Sequence, residues 1–171
     1  VVEYYKRRAE GGVGLIITEG TCIGHKAANG YENVPYFYGE KALAGWKKVV
    51  DAVHAAGGKI MPQLWHVGSV RKEGMEPDAS VPGFAPSGMV APGVKKCHVM
   101  SKEDITEVIT AYADAARSAM ELGFDGVEYQ SSLFAEGYNL AIFNPNKLEC
   151  INTKVYEIEN IKLHHKLLDN S

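Results

Sequence analysis

Two long amphipathic stretches, each closed by glycine and each followed by a short apolar run, limit the folds open to this chain. Residues 39–56 place Leu43, Trp46, Val49, Val50 and Val53 on one helical stripe, and Gly57-Gly58 stops them. Residues 102–122 repeat the pattern with Ile105, Val108, Ile109, Tyr112, Ala116, Ala119 and Met120, and Gly123 stops them. Between and around them lie runs of strand type at 13–18, 59–64 and 125–129. Strand, helix, strand, helix, strand predicts right-handed parallel βαβ units, with the three strands side by side in chain order and the helices on one face.

The remaining punctuation agrees with this reading. Glu3 to Glu10 reads as the end of a helix stopped by Gly11-Gly12. Ser101-Lys-Glu-Asp104 is close to a capping box, with aspartate where glutamate is usual. Residues 22–38 form a polar, Gly- and Asn-bearing loop. Residues 65–100 form a long connection carrying Pro77, Pro82, Pro86 and Pro92, of the kind that serves a function or stays disordered. His54 reads as a structural or surface histidine rather than a ligand.

The second run, Lys59-Ile-Met-Pro-Gln-Leu-Trp-His-Val-Gly68, has the length of a buried parallel strand and ends in an amide, an indole and an imidazole. Gln63, Trp65 and His66 are poor core material. The C-terminal tip of a parallel strand is where α/β proteins place ligands. The first run ends in Glu19-Gly20-Thr21, where a glycine permits close approach of a flat ligand or makes a plain turn.

Composition narrows the function classes. The chain has 171 residues, 23% of them charged, with net charge −3, so it offers no nucleic-acid surface, and Lys6-Arg-Arg8 reads as a solvated helix face. Cys22, Cys97 and Cys150 are odd in number and widely spaced, which suits reduced thiols in a cytoplasmic protein and neither a disulfide framework nor a metal site. No signal or membrane-spanning stretch is legible.

Gln-Leu-Trp-His-Val-Gly68 resembles the third-strand motif of the old yellow enzyme family, the FMN-dependent NAD(P)H:flavin oxidoreductases and ene-reductases. Gly14-Leu-Ile-Ile-Thr-Glu-Gly-Thr21 resembles that family's second strand, and Leu122-Gly-Phe-Asp-Gly-Val-Glu128 the approach to its fourth. The resemblance implies an α/β fold, a partial TIM (β/α)8 barrel holding strands two to four with their helices. A complete barrel takes about 250 residues, so the expectation is one incomplete domain over 1–171, family-like over 1–130 with a divergent tail at 131–171. It also implies FMN as cofactor, NAD(P)H as electron donor and a small-molecule substrate, with hydride passing through the flavin to an activated alkene or similar acceptor. Gly20 would lie beside the flavin ring. Gln63 suits its pyrimidine edge, because an amide both donates and accepts. Trp65 would shape the acceptor pocket, or pack. His66 would support the site or be a satisfied barrel histidine. The long connection would cross the barrel mouth, although Ser69 stands where the family commonly has arginine.

The pattern breaks after Glu128. There the family carries two polar side chains that hold a substrate carbonyl and a tyrosine that protonates the alkene. Aligned without a gap, Gln130, Leu133 and Ala135 replace all three. With three extra residues, Ala135-Glu-Gly-Tyr-Asn-Leu-Ala-Ile-Phe143 matches, placing Tyr138 at the proton donor and Glu136 at one carbonyl-holding position. The first residue of the polar pair has no counterpart. Three readings stay open: an impaired FMN oxidoreductase, a non-catalytic barrel remnant that acts through another chain, and an open flavodoxin-like sheet that binds FMN by itself, for which no phosphate-cradling loop is legible. Missing neighbours imply exposed sheet edges and self-association.

Overall fold

The computed structural model describes residues 1–130, 138–144 and 146. Helix α1 (Val2–Glu10) ends at Gly11, and β1 spans Leu15–Cys22. Helix α2 (Glu40–Ala55) leads to β2 (Lys59–Trp65) and a 3₁₀ turn at Gly68–Val70. The long connection carries two small paired ribbons: β3 (Phe84–Ala85) with β6 (His98–Val99), and β4 (Met89–Ala91) with β5 (Val94–Lys95). Helix α3 (Lys102–Leu122), β7 (Gly126–Gln130) and β8 (Tyr138–Ile142) complete the described elements.

The main sheet has the order β1-β2-β7-β8. Its first three strands are parallel neighbours in chain order, as the alternation predicts. The fourth was not foreseen: β8 runs antiparallel to β7, with Gly126 opposite Ile142 and Gln130 opposite Tyr138. Sequence periodicity reports which residues share a face. It does not report that a segment will turn back to satisfy the open edge of β7.

Both long helices pack against the sheet, α2 by the stripe that its sequence shows. Trp46, Val49, Val50 and Val53 of α2 are buried against Ile16, Ile60, Leu64 and Val127 in one core, which Phe37, Phe124 and Tyr5 complete. Ser101 caps α3 as a full capping box: its hydroxyl accepts from the Asp104 N–H, and the Asp104 carboxylate accepts from the Ser101 N–H. Gly123 closes the helix in the left-handed conformation.

The expected inward face of α3 needs correction. Ala115 and Ala119 are its buried residues, with Val108, Tyr112 and Ala116 half-buried, whereas Ile105, Ile109 and Met120 are 37%, 62% and 55% exposed. Small residues let the helix backbone approach the sheet closely. The rest of the apolar stripe stays exposed.

Two further features depart from the sequence reading. Strand β1 runs past residue 18 to Cys22, because a register irregularity between Ile17 and Gly20 lets the pairing with β2 continue. Within it the Thr18 hydroxyl takes the place of a backbone carbonyl, accepting from the Gln63 N–H at 3.1 Å. The loop after β1, polar on paper, is largely interior: Ile23, Ala27, Ala28, Asn29 and Phe37 are all buried. No described helix is long and apolar enough to cross a membrane.

Candidate functional site

The parallel strands deliver their chemistry to one end of the sheet. Gly20 pairs with Gln63 across β1 and β2, and Gln63 pairs with Glu128 across β2 and β7, so three strand tips meet at one level. The Gln63 amide nitrogen donates to Glu128 Oε1 at 2.9 Å. Glu128 is buried. A carboxylate only accepts, so it orients the amide, leaving the Gln63 carbonyl and one N–H without a partner among the described residues. That donor-plus-acceptor set fits the edge of a ring that presents both groups.

Trp65 lies at the same level. Its indole rests against Gly20 so closely that a Cβ at residue 20 would overlap the six-membered ring. Tyr31, from the loop after β1, stacks on the indole with ring centroids 5.7 Å apart and planes within 12°. The sequence reading placed Gly20 and Gln63 together at the strand tips, and the structure does bring them together. It did not find Tyr31, 34 residues before Trp65, because no local pattern links a loop tyrosine to a strand-end tryptophan.

His66 has a partner that periodicity cannot supply. Its Nε2 lies 3.0 Å from His25 Nδ1, and its own Nδ1 accepts from the Gly68 N–H at 3.1 Å. That acceptor role puts the His66 proton on Nε2, which donates to His25. His25 Nδ1 also accepts from the Ala27 N–H at 3.2 Å, leaving the proton of His25 on Nε2, a buried atom without a hydrogen-bond partner among the described residues. Burial, and then the neighbouring His25 and Arg71, hold His66 down to about 4, and burial, then Lys26, lowers His25 as well. The pair is neutral at pH 7 and ties the loop after β1 to the tip of β2.

Arg71, in the long connection, is buried as well. Its guanidinium donates to the carbonyls of Val81 at 3.0 Å, Glu76 at 3.1 Å, Met75 at 2.6 Å and Asp78 at 2.9 Å, and also to that of Asn29. Five carbonyls occupy it fully, so it closes the long connection upon itself and is not an anion-binding group. His54 serves structure as expected, with Nε2 2.8 Å from Oδ2 of the buried Asp125, which also accepts from the Ile60 N–H at 3.0 Å.

The remaining candidates are only partly in view. The backbone of Tyr138 lies in β8, but its side chain is outside the described residues, as is Glu136. Cys22 and Cys97 are free thiols, and Cys150 lies outside the described residues.

Residues 1–149 match the NADH:flavin oxidoreductase / NADH oxidase family. The chain is 37% identical over 147 residues to "Putative 12-oxophytodienoate reductase 4" of Oryza sativa subsp. japonica, covering 83% of this chain and 37% of that one. It is 41% identical over 135 residues to the flavin oxidoreductase hxnT of Emericella nidulans, covering 74% and 34% respectively. Among solved structures, morphinone reductase in complex with tetrahydroNAD superimposes with a TM-score of 0.66 at 37% identity, over 74% of this chain and 38% of that one. The Old Yellow Enzyme from Pichia sp. AKU4542 gives 0.65 at 32% identity, over 74% and 35%. The chain thus spans little more than a third of the relatives it matches.

Proposed function

This chain belongs to the NADH:flavin oxidoreductase / NADH oxidase family, and we propose that it contributes an FMN-binding strand cluster to old-yellow-enzyme-type hydride transfer. When bound, FMN supplies the redox chemistry, taking hydride from NAD(P)H and passing it to an activated alkene or similar acceptor. The observation that carries the reading is the convergence of Gly20, Gln63 and Glu128 at the C-terminal tips of three adjacent parallel strands.

Gln63 would hold the pyrimidine edge of the ring through the carbonyl and N–H that Glu128 leaves over. Gly20 would lie beside the ring, and Trp65 would wall the acceptor pocket. The divergent segment is assigned Glu136 as a contact to the substrate and Tyr138 as proton source. An ionised Glu136 cannot donate to a carbonyl oxygen, so alkene reduction by this chain is impaired. The absorption spectrum of the purified chain titrated with FMN tests the proposal. A shifted, saturable flavin band supports it, and a spectrum identical to that of free FMN would overturn it.

One observation favours a second reading, a barrel remnant acting through association. On the sheet face away from the helices, Leu15 and Ile17 are 40% and 37% exposed, and among the described residues β1 pairs within the main sheet only with β2. An open edge beside exposed aliphatic side chains would pair with another copy of the chain. A sedimentation experiment showing a monomer at all concentrations would exclude this reading.

A further inference from the structure

Gly20, Trp65, Tyr31 and Lys72 form one layered contact. The indole fills the space that a Cβ on Gly20 would take. Tyr31 stacks on the indole, and Lys72 Nζ lies 5.5 Å from the Tyr31 ring centroid. The Tyr31 backbone is fixed although its ring is 39% exposed. Its N–H donates to Asn29 Oδ1 at 3.1 Å, and the Asn29 carbonyl is held by Arg71. Gly30 is pressed against Val67 and the backbone of Arg71, leaving no room for a side chain. The ring of Tyr31 is therefore presented to Trp65 by an anchored loop.

A flat ring laid against Gly20 and the Trp65 indole need the same volume. We propose that Trp65 is a movable cover over Gly20 and that Tyr31 is the positioning residue that holds it there. The proposal rests on the flavin reading above and adds regulation of that site: FMN enters by displacing the indole from Gly20, against the Tyr31 stack. Gly20 matters twice, since the missing side chain admits either the indole or the ligand. Tyr31 acts through Trp65.

The test uses the whole chain labelled with 5-fluorotryptophan and read by ¹⁹F NMR. The chain has two tryptophans, and Trp46 is buried in the core away from the site, so one resonance serves as internal reference. Tyr31→Ala should move the Trp65 resonance alone. Tyr31→Phe, which keeps the stacking ring, should leave it near its original position. Gly20→Ala should also move it, by forcing the indole away. In parallel FMN titrations, Tyr31→Ala should bind about two- to tenfold more tightly, the range one aromatic pair spans, and Tyr31→Phe as the unaltered chain does.

An immobile Trp65 resonance in Tyr31→Ala would overturn the proposal, because no stack then holds the indole. Unchanged or weaker FMN binding, with the resonance moved, would also overturn it, by making the stack a platform for the ligand. Failure of every variant to bind FMN while Trp65 responds to Tyr31 would overturn the flavin reading itself, and the cover with it.

Discussion

Gln63 Nε2 donates to Glu128 Oε1 at 2.9 Å, linking the tips of two parallel strands that lie 65 residues apart in the chain. The buried carboxylate fixes which end of the amide faces the ring it is proposed to hold. Gln63→Leu should weaken FMN binding by about 1–3 kcal/mol, the cost of leaving polar groups unpaired. Glu128→Gln should have a smaller effect, about 0.5–1.5 kcal/mol, because a neutral amide still accepts but no longer dictates the orientation of Gln63. Fluorescence titration of FMN measures both. Equal affinity in all three proteins would remove Gln63 from the site.

Arg71 offers a test of stability separate from ligand binding. A lysine has three donors on one nitrogen and cannot reach five carbonyls arranged around a planar fork. Arg71→Lys should lower the free energy of unfolding in urea by about 2–4 kcal/mol, since buried carbonyls lose their partners. A loss below about 0.5 kcal/mol would mean that water replaces the guanidinium without penalty.

The His25–His66 pair predicts a pH dependence. His66 falls from its ordinary 6.5 to about 4 in the folded chain, mainly through burial. Above pH 6.5 neither state takes up a proton there, so the full stability is present. Between 6.5 and 4 the unfolded chain binds a proton that the folded chain refuses, and stability falls as pH falls. At 1.36 kcal/mol per unit, the contribution of His66 is at most about 3 kcal/mol. Urea unfolding at pH 7 and pH 4.5 should show this loss, and His66→Gln should reduce it. An equal loss in the variant would assign the acid sensitivity to other groups.

Tyr138 is the residue to examine for residual chemistry. Stopped-flow with FMN-loaded protein and cyclohexenone should give turnover well below that of an intact family member, by about a hundredfold or more, because misplacement of about 1 Å alone costs that much. Tyr138→Phe should slow only reoxidation of the flavin by the alkene and spare its reduction by NAD(P)H. Turnover near that of such a relative would show that another residue does the work of the carbonyl-holding position without a counterpart.

The elements and their order were legible because they rest on local chemistry. Glycine stops at 11, 57 and 123, the Ser101–Asp104 box, and the stripe of Trp46, Val49, Val50 and Val53 each lie within a few residues of the structure they specify. The parallel order of the three strands followed from their alternation with helices, and the polar tip of β2 marked the end of the sheet that carries the candidate site. The contacts that make that tip a particular site joined residues distant in sequence. His25 meets His66 across 41 positions, Gln63 meets Glu128 across 65, and Arg71 reaches the Asn29 carbonyl across 42. None of these pairings leaves a period or a cap to read. The same holds for the buried face of α3 and for the turn-back of β8, which depend on what else lies beside the sheet. Local chemistry along the chain marked the three parallel strands, the helices between them and the end of the sheet that bears polar groups. Which polar groups face one another is a property of the folded chain, because burial and hydrogen-bond satisfaction belong to the assembled neighbourhood and not to any one segment.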